Sequence, residues 1–343
     1  MKKRALIVLS IILLAGGVFF LYRKHSSRPV QKRMRFIMDT YCTIQVPGEK
    51  EVVPAINKAL DRMQEVDAKF NAQDEESPIA AFNQKAVPVS DKEIVGMVRA
   101  AIQISERSGG AFDITVGPLL KLWGFYTDTT RVPAEDEIET VLERLGYRYL
   151  EIKEGYLVKR KSGVQIDLGG IAKGYAIREA VRVLKNEGIT SALIDAGGDI
   201  YAHGQVYGVP WRIGIRNPLG EGVLGVLDMS DLSVATSGSY ERFFEQDGIM
   251  YHHLLDPKTG YPAGELIGVT VVCKDPMLAD AWATALFVMG PEKGMELVET
   301  AGMAQVIMVT DEEELLCSSG LKEILEIIKK KKQPPEDRRK TKN

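Results

Sequence analysis

The stretch that constrains this chain most is Asp167-Leu168-Gly169-Gly170-Ile171-Ala172-Lys173-Gly174-Tyr175, followed one helix later by Ala196-Gly197-Gly198-Asp199. A β-like run, Val164 to Ile166, leads into it. A helical pattern from Ala176 to Glu187 leads out, with Ala176, Ile177, Ala180, Val181 and Leu184 on one face. The glycines therefore sit at a strand-to-helix corner, where backbone N–H groups and a helix N-terminus converge, and Lys173 adds a positive charge. That chemistry suits a phosphate. The same residues also suit a corner that only needs small side chains, and the stretch alone does not separate the two. It is neither a P-loop, which needs G-x-x-x-x-G-K-[ST], nor the G-x-G-x-x-G dinucleotide fingerprint.

With 343 residues the chain can form one large domain or two closely packed ones. Its net charge of -3 conceals an asymmetry: Lys and Arg crowd Lys2 to Arg35 and Lys329 to Lys340, while the interior is acidic. Basic ends of this kind fit a membrane surface better than nucleic acid. Met1-Lys2-Lys3-Arg4 precedes Ala5 to Tyr22, an uncharged run that as a helix would span about 27 Å and nearly cross a bilayer core. No cysteine follows where a lipoprotein needs one, and no A-x-A cleavage site stands out, so an uncleaved anchor is preferred to a cleaved signal. Residues 1–35 are read as this anchor or signal and a basic linker, and 329–343 as a basic disordered tail. Cys42, Cys273 and Cys317 are scattered and form no C-x-x-C, so neither a structural disulfide nor a zinc site is expected.

Along the chain, Tyr41 to Val46 alternates like a strand, and Lys50 to Phe70 carries the apolar spacing of an amphipathic helix with Pro54 in its first turn. A second helix is expected from Ser90 to about Ser108, with Ser90 and Glu93 as a capping box. Gly109 to Pro118 is too glycine-rich for a regular element and too apolar for a solvated loop, a composition that lines sites. A short acidic helix over 134–145 is followed by a hairpin, Tyr149 to Ile166, turning at Glu154-Gly155. After the glycine corner come a strand, Ser191 to Asp195, and short strands and turns from Trp211 to Asp256. Then follow a buried strand (Ile267 to Val272), helices from Pro276 to Met289 and Pro291 to Thr300, a strand from Gln305 to Thr310, and a closing helix from Leu321 to Lys330. Strands in runs with helices between the runs indicate an α+β fold, and the two strand-rich halves leave room for a duplication.

Two further segments could carry chemistry. Asp275-Pro276 is a good helix start, which puts Asp280 and Thr284 four residues apart on one face. A carboxylate beside a hydroxyl suits a hard cation such as Mg2+, although an acid near a helix start also answers the dipole and a mid-helix Thr also bonds its own backbone. In Tyr251-His252-His253-Leu254-Leu255-Asp256-Pro257, adjacent histidines on a strand point to opposite faces, so at most one of them works. His253 fits either a general base or a structural histidine. No G-x-S-x-G elbow is present, which disfavours a serine hydrolase.

Taken together, Met38-Asp39-Thr40, Gly110-Ala111-Phe112-Asp113-Ile114-Thr115, the glycine corner, Gly197-Gly198-Asp199, Thr236-Ser237-Gly238, His253-Leu254-Leu255-Asp256-Pro257 with Thr259-Gly260, and Ala279-Asp280-Ala281-Trp282-Ala283-Thr284-Ala285 resemble the ApbE family of FAD:protein FMN transferases in order and spacing. The resemblance covers roughly 36–325 and implies a flavin transferase domain over 36–328. The family fold is α+β, resembling two tandem T-fold units with FAD in the cleft between them. Its members move FMN from FAD to a threonine hydroxyl of an acceptor flavoprotein and release AMP, with Mg2+ assisting. Carried over residue by residue, Met38, Phe70, Ala111, Phe112, Asp113, Asp167, Lys173 and Leu254 would touch FAD. Asp280, Thr284 and the backbone oxygen of Gly170 would hold the metal, and His253 would be the base for the incoming hydroxyl.

Three departures stand out. The family usually has glycine where this chain has Asp39, it often has Asp where this chain has Arg178, and the lipobox of many members is absent. Attachment is therefore expected through the Ala5 to Tyr22 helix in the cytoplasmic membrane. Basic residues flank that run on both sides, Lys2, Lys3 and Arg4 before it and Arg23, Lys24, Arg28, Lys32, Arg33 and Arg35 after it, and counting charge alone the positive-inside rule favours a cytoplasmic domain. The export-signal layout and the outward-facing habit of many family members favour an extracytoplasmic one, which is the expectation here. Rival functions are an FAD pyrophosphatase that uses the same groups with water as acceptor, and a surface flavin-binding protein that would not need His253.

Overall fold

The computed structural model describes residues 29–327, apart from 86, 128 and 324. The proposed anchor, the linker up to residue 28 and the tail lie outside the described residues. The described chain opens with a hairpin, β1 (Val30–Ile37) and β2 (Thr40–Pro47), and passes into helix α1 (Val53–Phe70). A long excursion follows through α2 (Pro78–Lys85), α3 (Lys92–Arg107), α4 (Gly117–Leu122) and α5 (Glu135–Leu142) to the small hairpin of β3 (Leu150–Lys153) and β4 (Tyr156–Lys159). Helix α6 (Gly169–Asn186) returns the chain to β5 (Ala192–Ala196) and β6 (Asp199–His203). Next come β7 (Trp211–Arg216), β8 (Val223–Met229) and β9 (Leu232–Gly238), then a projecting hairpin, β10 (Phe243–Gln246) and β11 (Ile249–His252). The chain continues through β12 (Leu266–Cys273), α7 (Pro276–Met289), α8 (Pro291–Ala301), β13 (Gln305–Thr310), β14 (Leu315–Cys317) and β15 (Leu325–Ile327).

The central sheet has eight strands in the order β1-β2-β5-β6-β9-β12-β13-β14, and every adjacent pair is antiparallel. That order divides at the β6–β9 pair into two halves of one design. The first half is β1-β2, helices, β5-β6, and the second is β9-β12, helices, β13-β14. The α+β fold and the tandem arrangement expected for two duplicated units are both visible in this repetition. The helices α1, α3, α6 and α7 pack on one face of the sheet in a single large core. On the opposite face a small sheet of β7, β8 and β15 covers β6 and the second half. Strand β7 shows the pattern of a one-sided sheet, with Trp211, Ile213 and Ile215 buried and their neighbours exposed. Strand β12 lies between the two cores, Val271 in one and Val272 in the other, which is why it reads as an unbroken apolar run.

Four local expectations change. Residues 30–35, assigned to the basic linker, form strand β1. As a sheet edge it carries Lys32, Arg33 and Arg35, a composition that blunts an edge and resembles a linker in sequence. The cap of α3 is Asp91, whose side chain accepts from the N–H groups of Glu93 and Ile94, and Glu93 is drawn off to Arg62 and Lys69 rather than closing a box with Ser90. Helix α6 begins at Gly169, so the glycines are its first turn and not a loop before it. The closing helix expected from Leu321 is a short 3-10 turn, Ser319–Glu323, followed by β15, whose Leu325 joins the second core beside β8.

Candidate active site

The glycine corner is built by substitution of one kind of partner for another. Among the described residues Val164 to Ile166 has no strand neighbour; the side-chain amide of Asn83 takes that place, accepting from Ile166 N–H and donating to Ile166 C=O, both at 2.8 Å. Asp167 then donates its N–H to Ile114 C=O at 2.7 Å, and its carboxylate accepts from Gly169 N–H at 2.8 Å, supplying one of the acceptors that a helix start lacks. Glycine is required here by proximity. A Cβ on Gly174 would stand 2.1 Å from the Pro276 carbonyl oxygen, and one on Gly170 would stand 3.3 Å from Phe112 and 3.4 Å from the Thr284 hydroxyl. Helices α6 and α7 therefore meet backbone to backbone at their N-terminal ends.

That contact brings together residues separated by more than a hundred positions. Asp280, buried on α7, accepts from Gly174 N–H at 2.8 Å through Oδ2, and among the described residues its Oδ1 takes no hydrogen bond. Lys173 on α6 pairs with Asp199 at the head of β6 at 2.5 Å, and Asp199 also accepts from Thr236 N–H of β9. Thr284 faces Ser237 of β9 at 3.3 Å. The site thus lies across the seam between the two sheet halves. Burial opposes the charge of Lys173, but Asp199 and Asp280 outweigh it and raise its pKa, so the ammonium is held charged. The Asp280 pKa is pushed up to about 7 by burial and by Asp199, with Lys173 acting against both.

His253 follows directly on β11. Its Nδ1 lies 3.2 Å from the Arg242 carbonyl, which can only accept, so Nδ1 carries the proton and Nε2 is the free acceptor. Its ring meets Phe125 edge-on at 6.3 Å. Burial, and then the Arg242 charge, lower its pKa to about 4 and keep it neutral near pH 7. His252, by contrast, is buried against Phe287 and bonds the Ala263 carbonyl at 2.9 Å, which makes it the structural member of the pair.

The flavin-contact candidates fall into two groups. Phe112 touches the corner itself, Ala111 and Leu254 are buried, and Phe70 meets Tyr175 of α6 edge-on at 5.2 Å. Met38 occupies the two-residue turn of the first hairpin with Asp39; both have positive φ (55° and 57°), and the Met38 N–H donates to Asp67. Glycine suits the second of these positions because it adopts that backbone without strain, and Asp39 meets the same requirement while its side chain is exposed to solvent. Asp113 is different: Oδ1 accepts from Thr115 N–H and hydroxyl, Oδ2 from Tyr147 N–H, and the carboxylate is committed to bracing its own loop. Arg178 pairs with Asp275, the cap of α7, and lies over the Tyr175 ring. Asp199 was not singled out from the sequence as a site residue, although its place at the end of the second glycine turn was the signal. The buried Tyr126 hydroxyl close to Asp167 left no signal at all.

An antiparallel α+β core whose seam gathers a charged lysine, a buried acid, hydroxyls and helix-start amides defines a protein equipped to handle phosphate groups. The profile of the ApbE family matches residues 38–308. An FAD:protein FMN transferase of Treponema pallidum is 34% identical over 84% of this chain and 87% of its own length, and one of Escherichia coli is 31% identical over 88% and 92%. The solved ApbE protein of Thermotoga maritima superposes with a TM-score of 0.81 at 36% identity, covering 86% of this chain and 98% of its own. The chain belongs to the ApbE family.

Proposed function

We propose that this chain is an FAD:protein FMN transferase that attaches FMN through its phosphate to a threonine hydroxyl of an acceptor flavoprotein. The observation that carries the reading is the meeting, at one glycine-built helix contact, of Lys173, held charged by its pair with Asp199, and buried Asp280, held by the Gly174 N–H. Met38, Phe70, Ala111, Phe112, Asp167, Lys173 and Leu254 line the flavin side of the cleft, and Asp113 serves it by holding the 109–117 loop in place. The threonine Oγ attacks the FMN phosphorus, its proton passes to Nε2 of His253, and the bond to the AMP phosphate breaks with AMP leaving. Lys173 opposes the charge that builds on the phosphate oxygens.

The donors also fit a hard divalent cation such as Mg2+. Asp280 has an unbonded oxygen, Thr284 supplies a hydroxyl, and Gly170 supplies a carbonyl whose ordinary helical partner, the Gly174 N–H, donates to Asp280. When bound, such an ion neutralises charge on the transferring and leaving phosphate oxygens. Among the described residues no helix is long and apolar enough to cross a membrane, and we assign anchoring to Ala5 to Tyr22, with the catalytic domain beginning at residue 30 and lying outside the cytoplasmic membrane. Incubation with FAD, Mg2+ and a flavoprotein carrying an acceptor threonine, followed by mass spectrometry, tests the function. Acceptor carrying FMN is the expected product; free FMN and AMP with unmodified acceptor would replace this reading with FAD hydrolysis.

A further inference from the structure

The outer face of the first hairpin is not explained by flavin chemistry. The β1–β2 register places Lys32 opposite Gln45, Met34 opposite Thr43 and Phe36 opposite Tyr41. The alternate residues Ile37, Cys42, Ile44 and Val46 are buried against the helices, so the hairpin is held firmly and the other set faces outward. On that outward side Met34, Phe36 and Tyr41 are 60%, 61% and 61% exposed, and the two rings meet edge-on at 5.5 Å. Three large apolar side chains left uncovered side by side on one sheet face mark a contact surface. The small sheet on this face packs on β6, β9, β12 and β13, with Leu193 of β5 at its margin, and among the described residues its core includes none of β1 or β2.

The chain around this patch points to what covers it. Strand β1 begins at Val30, and seven residues separate it from the apolar run that ends at Tyr22. Seven residues reach at most about 25 Å when fully extended, so an anchored chain delivers the hairpin to the bilayer surface. The intervening sequence contributes Arg23, Lys24 and Arg28, and the exposed Lys32 continues the positive charge on the outward face, while Arg33 and Arg35 belong to the helix-side set and Arg35 is taken up by Asp61. Aromatic and apolar side chains flanked by basic residues are the composition that settles at an anionic lipid interface.

We propose that the outer face of the β1–β2 hairpin lies against the headgroups of an anionic membrane, with Met34, Phe36 and Tyr41 at the interface and Lys32 over lipid phosphates. The proposal rests on the anchored placement given above. Because Met38 forms the tip of the same hairpin, it also sets the flavin end of the cleft close to the bilayer.

The full chain reconstituted in vesicles of phosphatidylethanolamine and phosphatidylglycerol provides the test, using tryptophan fluorescence and acyl-brominated lipid. Phe36→Trp is compared with Tyr156→Trp, a 48% exposed position on β4. Bromolipid is expected to quench the first several-fold more than the second. Lys32→Ala in the Phe36→Trp background should lower the docked-to-free ratio about fivefold. Equal quenching at both positions while the protein still floats with the vesicles overturns the docked face but leaves the anchor intact; failure to float overturns both. If neither bromolipid nor soluble acrylamide reaches position 36, the face is covered by the chain's own N-terminal residues or a second copy, and the proposal falls.

Discussion

Lys173 and Asp280 restrain each other: the lysine keeps the buried acid available, and the acids keep the lysine charged. Asp280→Asn preserves the shape and the contact with Gly174 but removes the charge that a cation needs, so divalent-dependent transfer should fall by at least about 100-fold. Full transfer by the wild-type chain in excess chelator would contradict the metal assignment directly. His253→Ala should slow transfer by on the order of 100-fold or more while FAD binding, read by flavin fluorescence, stays near wild type. The pH profile gives a sharper reading of the same residue. His253 accepts a proton only when neutral, and its pKa is lowered to about 4, so at saturating divalent cation, which holds Asp280 ionised, the acid limb of kcat/KM should lie near pH 4 rather than near 6.5. A limb at pH 6.5 that vanishes in His253→Ala would mean that the ring is solvated in the working enzyme. At the hairpin turn, Asp39→Gly relieves a positive φ without touching the core and should raise stability by up to about 1 kcal/mol in a denaturant titration.

The contact between α6 and α7 is the element on which the site depends. Gly174→Ala places a methyl group against the Pro276 carbonyl, and backbone cannot yield as a side chain can; we expect a loss of about 2–3 kcal/mol, read as a lower Tm, together with weakened transfer because Asp280 is displaced from its partner. The sequence carried this element well. Asp275 and Pro276 mark the start of α7 and Gly290 its end, so its bounds were legible from capping chemistry alone, as were the turn at Glu154-Gly155 and the buried strand β13. It carried edges and short elements poorly. Strand β1 is polar because it borders the sheet, α2 is only eight residues long, and the last described turn packs through a single strand against β8 instead of along a helix face. The candidate site divides in the same way. Gly170, Lys173, Asp280 and Thr284 stand in motifs that local chemistry singles out, whereas the Lys173–Asp199 pair and the committed state of Asp113 arise only when distant segments meet.

At the scale of the molecule, the two halves of the sheet meet at β6 and β9, and the proposed chemistry is drawn from both: Lys173 and Asp199 from the first, Thr236, Ser237, Asp280 and Thr284 from the second. Such a seam needs both halves on one side of any membrane, so the domain after residue 29 must cross as a unit or not at all. Six basic residues between Arg23 and Arg35 favour retention in the cytoplasm by the positive-inside rule. Two observations weaken that count. Arg35 is paired with Asp61, and Lys2, Lys3 and Arg4 on the other flank oppose the remaining five. Long domains are also translocated largely regardless of flanking charge. The export-signal layout of the N-terminus then decides, and the domain is expected on the outer side. Protease added to intact spheroplasts should therefore degrade the domain, and a cytoplasmic marker should survive the same treatment. Protection of the domain until the membrane is lysed would put it inside, with the hairpin face meeting the inner leaflet instead of the outer one.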